Sequence, residues 1–477
     1  MKVLSVASEC APLVKTGGLA DVAGALPGAL DAEGVEMRTL LPGYPVAMAA
    51  LKSAKTVMED PDLFGGPARV LAGKAAGLSL YVLDAPHLYD RPGAIYHGAD
   101  GQDWPDNALR FAALGWTAAR IGSAGAGKWR PSVLHVHDWQ AALAPLYLRQ
   151  MPGGDKVGAL LTIHNIAFQG LAPAGDLHAL RLPESGFTAS GYEYWGQIST
   201  LKAGIVWADK VSTVSPTYAR ELMTPEFGMG LDGLLRSRGA DFSGILNGVD
   251  TDVWNPATDT AIKHPYKTPR GKARAKAALR REFGLPDAPG PLTVLVSRLT
   301  QQKGLDMLLE ALPVLLHRGG QLALLGSGDP ALESAYRELA AREPGVAVHI
   351  GYDEAMAHRL IAGGNAILVP SRFEPCGLTQ MYGLRYGTLP VVALTGGLAD
   401  TVIPANPAAL GAEAATGLQV YPVTTDALAQ ALSRLADLFA LPEVWARMQK
   451  NAMAQDVSWR RSAVDYAALY QEIAHRA

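Results

Sequence analysis

The chain is 477 residues long, 49% hydrophobic and 18% charged, with a net charge of −3. That length exceeds one typical core and points to two or three domains, while the faintly acidic balance excludes a global basic field for nucleic acid or anionic membrane. Two cysteines, Cys10 and Cys376, exclude a disulfide framework, and apolar runs such as Gly158 to Ile163 are too short to span a bilayer. Met1-Lys2 runs straight into a core strand, leaving no room for a leader peptide, so a cytoplasmic enzyme is expected.

Val3 to Ala7 reads as a buried parallel strand, and Leu19, Val22, Ala23, Leu26 and Leu30 recur at helical spacing, with Pro27 expected to kink or shorten the helix. Between them lies Lys15-Thr16-Gly17-Gly18-Leu19-Ala20-Asp21. Two glycines between a strand and a helix let a ligand approach the backbone, the first helix amides face an anion, and Lys15 adds a positive charge. Plain strand–helix packing would use the same glycines. Thr395-Gly396-Gly397-Leu398-Ala399-Asp400 repeats Thr16 to Asp21 letter for letter, again after an apolar run, with Leu394 where the first copy has Lys15. The repeat suggests two α/β units facing one cleft, and the unequal flanks suggest different jobs.

From Met1 to about Gly248, short apolar runs alternate with helical patterns, the rhythm of a parallel α/β domain. The loop from Tyr89 to His97, with Arg91 and Tyr96, could line a site or be a surface excursion. Two strands end in polar clusters: Val133 to Val136 leads into His137 and Asp138, and Leu160 to Ile163 leads into His164 and Asn165. Ligands of open α/β sheets sit beyond the carboxyl ends of the strands, which gives these residues weight. His135 and His137 would share a strand face and could chelate zinc, but sugar-hydroxyl contacts suit His164 and Asp138 better. Gly122 to Lys128 imitates a phosphate loop, yet Trp129 stands where a magnesium-binding hydroxyl belongs. Gly326 to Ala331 fits a loose dinucleotide turn in mid-domain, and Asp250-Thr251-Asp252 follows a turn signal and is read as a turn.

Residues 249–290 form the expected linker, with a basic run from Lys263 to Lys276 read as a solvated crossover helix. A second α/β domain, 291–458, opens at Leu292 to Val296, whose strand ends in Arg298 and Lys303 before Gly304. Gly351-Tyr352 places an aromatic ring where an adenine could stack. Ala366 to Val369 leads into Pro370 to Gln380, where Glu374 and the first amides of the next helix share a strand end. The last helix, within 459–477, is long enough to pack back on the N-terminal domain.

Taken together, Lys15 to Leu19, His164-Asn165, Arg298 with Lys303, and Phe373 to Gln380 closely resemble the motifs of bacterial and plastid glycogen/starch synthases, over essentially the whole chain. The resemblance implies a GT-B architecture, two Rossmann-like domains with parallel sheets facing an interdomain cleft. It implies transfer of glucose from ADP-glucose to the non-reducing end of an α-1,4-glucan such as glycogen, with retention. By motif match, Lys15, Gly17, Gly18 and Asp21 would form the donor-diphosphate turn, Arg298 and Lys303 would neutralise departing ADP, and Tyr352 would lie against adenine. Glu374, Asp138, His164 and Asn247 would hold the glucose, with Tyr96 and Asn165 nearby, and Cys376, Gly377, Leu378 and Thr379 would supply a turn and its amides. Many related retaining transferases carry a second glutamate eight residues after the first; here that position is Tyr382.

The charge flow of such a reaction agrees. Breaking the bond from C1 to phosphate makes the sugar positive and the diphosphate negative, so fixed cations belong at the leaving group and a carboxylate or neutral dipoles at the sugar. With Arg298, Lys303 and Lys15 in that role, neither a metal nor a cofactor is expected. A phosphorylase would need a lysine-bound pyridoxal phosphate, an inactive glucan-binding protein would not need this cation set, and a dehydrogenase would need a different glycine spacing.

Overall fold

A computed structural model describes residues 1–98 and 100–476. The chain divides into two compact units, one of Met1–Asn247 with the residues from Trp459 onward, the other of Gly248–Ser458.

In the first unit the strands are β1 (Lys2–Val6), β2 (Glu36–Pro42), β3 (Lys52–Asp60), β4 (Ala68–Ala75), β5 (Leu78–Asp84), β6 (Val133–His137), β7 (Gly158–Ile163), β8 (Leu171–Pro173), β9 (Glu193–Tyr194), β10 (Gln197–Ser199), β11 (Lys210–Thr213) and β12 (Phe242–Gly244). Among the described residues the main sheet runs β12-β11-β7-β6-β1-β2-β5-β4-β3, and β8-β10-β9 form a small separate sheet. The pairs from β12 to β5 are parallel, while β4 and β3 add an antiparallel edge. Strand order reverses between β1 and β6, and a crevice opens at the carboxyl ends of such a pair.

The helix Gly18–Leu30 buries Leu19, Val22, Ala23, Leu26 and Leu30, and continues through Pro27 rather than stopping there. Only one backbone hydrogen bond is forfeited by the missing N–H, and the buried apolar stripe outweighs it. The C-terminal helix Trp459–Arg476 buries Trp459, Ala463, Tyr466, Tyr470 and Ile473 with Val3, Val133 and Leu160 of this unit. Tyr470 also hydrogen-bonds His135 Nδ1 at 2.7 Å.

The second unit holds β13 (Leu292–Val296), β14 (Gln321–Gly326), β15 (Val346–Ile350), β16 (Ala366–Val369), β17 (Leu389–Ala393) and β18 (Leu418–Val420), ordered β15-β14-β13-β16-β17-β18 and parallel throughout. This is the doubly wound Rossmann order, with its switch point between β13 and β16. The stretch 249–290 packs into this unit through buried Trp254, Tyr266 and Lys272. Lys272 Nζ donates to Ala362 O and Thr388 Oγ1, both at 2.7 Å, so part of the basic run is interior rather than solvated. Asp250 Oδ1 accepts from the amides of Asp252 and Val253, a local turn as expected. No helix among the described residues is long and apolar enough to cross a membrane.

Candidate active site

At the β1 end of the first unit, chain and glycine turn are tied by a residue that sequence reasoning missed. The buried Glu9 carboxylate accepts from the Thr16 amide at 2.5 Å, the Thr16 hydroxyl at 2.9 Å and the Gly17 amide at 3.2 Å. Burial pushes the Glu9 carboxyl above its ordinary pKa, against the pull of those donors. Tyr96 donates to Glu9 Oε1 at 3.3 Å and meets the Ser8 hydroxyl at 2.7 Å, so its loop lines this strand end instead of straying over the surface. The Thr16 and Gly17 amides are thus committed to Glu9, and the helix begins at Gly18 with an N-cap that lacks a side-chain bond. Lys15 and Asp21 form a 2.8 Å ion pair on the rim of this turn.

The two copies of the glycine motif differ in what they face. A Cβ at Gly17 or Gly18 would meet nothing within 4 Å, and Gly17 has an ordinary extended φ of −156°. Neither packing nor backbone demands glycine there, so the first turn is open where the second is filled. In the second copy a Cβ at Gly396, where φ is +45°, would sit 1.9 Å from Glu374 O, and one at Gly397 would sit 2.2 Å from Cys376 O. The second turn is therefore a cradle for the Glu374–Cys376 loop. Gly17→Ala is expected to leave the melting temperature within about a degree while weakening donor binding severalfold. Gly396→Ala must displace backbone and is expected to cost about 1–3 kcal/mol, lowering the melting temperature by several degrees. Thermal unfolding and donor titration of the two variants check the contrast.

At the β6 and β7 ends, Asp138 adopts a left-handed φ of +54°, and its Oδ1 accepts from the His164 amide at 2.6 Å and the Asn165 amide at 3.4 Å. Burial raises its pKa to about 7 despite those donors, so Asp138 is poised to change charge near neutrality. His164 Nε2 meets His137 Nδ1 at 3.1 Å, and His137 Nε2 meets the Ser5 hydroxyl at 3.2 Å. Burial lowers all three imidazoles, His135 and His164 to about 3, so each is neutral and works as a hydrogen-bonding dipole. His135 bonds Thr162 and Tyr470 through its two nitrogens, which satisfies it as a core residue, and no metal-holding group occurs among the described residues. Asn165 Oδ1 closes a turn on the Ala167 amide, and Asn247 keeps a buried Oδ1 without a hydrogen-bond partner among the described residues.

In the second unit the loops after β13 and β16 are knitted together at the switch point. Arg372 N donates to Gln302 O at 2.8 Å, and its guanidinium pairs with Asp306 at 2.7 Å. Lys303 Nζ then reaches Glu374 Oε2 at 2.5 Å, and Ser371 Oγ donates to the same oxygen at 2.9 Å. Glu374 is buried, while Arg298 on the first loop is exposed. Gln380 Nε2 binds the carbonyls of Cys376 and Gly377 at 3.1 and 3.0 Å, turning them inward. Gly377 has a φ of +69°, and the helix starts at Thr379 with Leu378 as an N-cap that offers no side-chain bond, so its leading amides remain available. Tyr352 is 80% exposed, and its hydroxyl donates to Glu354 Oε2 at 3.3 Å.

Tyr382, at the position of a second glutamate in many related enzymes, stacks on Trp254 at 3.7 Å, and His358 covers the opposite indole face at 3.7 Å. Asp259 fixes this stack from below, accepting from Tyr386 OH at 2.6 Å and meeting His358 Nδ1 at 2.7 Å. An aromatic clamp on the helix thus stands where a carboxylate would.

Residues 2–237 match the family model described as starch synthase catalytic domain, and residues 290–437 match that of glycosyl transferases group 1. The chain is 64% identical to a glycogen synthase of Paracoccus denitrificans, with 99% of each chain covered, and 60% identical to one of Jannaschia sp. over the full length of both. Its structure superposes on the catalytic domain of starch synthase IV from Arabidopsis thaliana, solved with ADP and acarbose, with a TM-score of 0.88 and 31% identity over 99% of both chains. With two Rossmann-like units of the GT-B type and this relationship along its whole length, the chain belongs to the glycogen synthase family of hexosyltransferases.

Proposed function

We propose that the chain takes glucose from ADP-glucose and adds it to the non-reducing end of an α-1,4-glucan, with retention, in cytoplasmic glycogen synthesis. The observation that carries this reading is the Lys303–Glu374–Ser371 cluster at the switch point of the second unit, a cation and a carboxylate locked on adjoining loops. The ADP and acarbose held by the Arabidopsis relative support a nucleotide-sugar donor and a glucan acceptor.

The bond from C1 to the diphosphate breaks, the acceptor O4 attacks the same face, and the proton of that hydroxyl passes to the departing phosphate oxygen. ADP and a glucan longer by one residue result. Arg298 and Lys303 take up the charge on the leaving diphosphate, as do Lys15 and the Gly18 amide. Glu374 opposes the positive charge growing on the sugar, while neutral His164, together with Asp138 and Asn247, holds hydroxyls. Tyr352 lies against adenine, and the amides of Cys376, Gly377, Leu378 and Thr379 complete the phosphate side.

Fixed side-chain cations do the work of a metal here, so no divalent ion or cofactor is required. Labelled glucose is expected to enter glycogen from ADP-glucose far faster than from UDP-glucose, at an undiminished rate in excess EDTA. Dependence on added magnesium would refute the cation argument, and absence of incorporation from either donor would refute the reading itself.

A further inference from the structure

The two Thr-Gly-Gly turns are held by different kinds of partner. In the second, the Gly397 amide is taken by two main-chain carbonyls, Glu374 O at 3.2 Å and Pro375 O at 3.1 Å. In the first, the partner is the Glu9 side chain, which takes the Thr16 and Gly17 amides. The Gly18 amide forms no hydrogen bond among the described residues. The second glycine amide is therefore occupied in one copy and open in the other.

The backbone decides which way that open amide faces. Gly17 is almost fully extended, with φ of −156° and ψ of −168°. Successive groups of an extended chain point to opposite sides, so pinning the Gly17 N–H on Glu9 turns the Gly18 N–H away from the carboxylate. Gly18 opens its helix, at the end where free amides and the dipole favour an anion. Glu9 is itself braced: the Thr16 hydroxyl lies 2.9 Å from both of its oxygens. Tyr96 OH, which meets Ser8 Oγ at 2.7 Å, reaches Oε1 at 3.3 Å. A carboxylate cannot attract a diphosphate, since like charges repel, so what Glu9 offers the turn is geometry.

We infer that Glu9 is a positioning residue for the donor: it fixes the peptide units of Thr16 and Gly17 and so aims the Gly18 amide at the diphosphate. The inference rests on the nucleotide-sugar reading for its ligand, but ADP affinity is measured without turnover. Shape and reach matter to such a pin, and charge does not. The carboxamide oxygen of Glu9→Gln can accept both amides, while its NH2 turns to the hydroxyls of Thr16 and Tyr96, which accept as well as donate. Glu9→Asp keeps the charge and loses a methylene of reach.

In Glu9→Asp, calorimetric affinity for ADP is expected to fall about tenfold, the effect of one misaimed hydrogen bond to a charged group. The KM for ADP-glucose should rise comparably while kcat changes less than about threefold, as when a contact is equal in ground and transition states. Glu9→Gln is expected to keep ADP affinity within about threefold of wild type, because its acceptor geometry survives. The reverse order, with Asp tolerated and Gln not, would overturn the inference and assign the role to charge. Equal losses in the two variants, or no loss in either, would overturn it as well. Should Glu9→Asp not fold, Thr16→Val decides, since it removes only an exposed hydroxyl brace. A severalfold loss of ADP affinity at an unchanged melting temperature supports the pin, and unchanged affinity overturns it. Wild-type protein that binds ADP in this pattern yet transfers no glucose would refute the glucosyltransferase reading and leave the role of Glu9 standing.

Discussion

Glu374→Gln is expected to lower kcat by about a hundred- to a thousandfold while changing the KM for ADP-glucose less than about threefold. The substitution is nearly isosteric, and a carboxamide oxygen can still accept from Ser371 Oγ and Lys303 Nζ, which now share Glu374 Oε2 at 2.9 and 2.5 Å. What vanishes is the negative charge. In the ground state that charge opposes Lys303, so its removal leaves the lysine at least as attractive to a diphosphate. In the transition state the sugar is positive, and the lost carboxylate has no substitute in the loop. Binding and turnover should therefore separate, as they do when an interaction is made only in the transition state. Steady-state kinetics with calorimetric donor titration test this; parallel losses in kcat and affinity would make Glu374 a positioning residue.

The strands and their polar ends were legible because period and apolar runs report burial, and because ligand crevices follow from strand order. His137 closes β6 and Asp138 follows it, His164 and Asn165 follow the neighbouring β7, and Arg298 and Glu374 follow β13 and β16, the pair at the second reversal of sheet order. The repeated Thr-Gly-Gly-Leu-Ala-Asp segment announced two turns but not their difference, since an open turn and a packed cradle use the same letters. Only the carbonyls of Glu374 and Cys376 lying against Gly396 and Gly397 reveal the second as scaffold.

Glu9 was invisible because a lone carboxylate acquires meaning only when the chain folds back and presents Thr16 and Gly17 to it. One signal existed: it stands three residues beyond β1, where an unpaired acid would otherwise be an expensive thing to bury. The histidines offered a metal reading that the sequence already placed below sugar-hydroxyl contacts. Adjacent imidazoles on strand ends resemble a metal site, but Ser5, Thr162 and Tyr470, distant in sequence, satisfy them. Tyr382 likewise looked like the loss of a carboxylate, whereas the indole of Trp254, over a hundred residues away, gives the position its own packing role.

The two cations of the β13 loop are expected to separate in stability while agreeing in activity. Arg298→Ala and Lys303→Met should each lower kcat/KM by about a hundred- to a thousandfold, the cost of one leaving-group contact. Arg298 is exposed and forms no side-chain hydrogen bond or ion pair among the described residues, so its loss should leave the melting temperature unchanged within about a degree. Lys303 is different: with its side chain 19% exposed and that of Glu374 11%, their pair is largely sheltered. Removing one partner of a fully buried pair costs about 3–5 kcal/mol, and residual solvent access with the Ser371 hydrogen bond places this case below that range. Lys303→Met should therefore melt several degrees early, and the double variant Lys303→Met/Glu374→Gln should recover much of that loss without recovering activity. Because Glu374→Gln alone already removes turnover, the role of the lysine is read from Lys303→Met: a loss in kcat with calorimetric affinity for ADP intact would mean that Lys303 acts only by holding Glu374. A severalfold loss of ADP affinity in Lys303→Met that Glu374→Gln does not share would assign the lysine to the diphosphate itself.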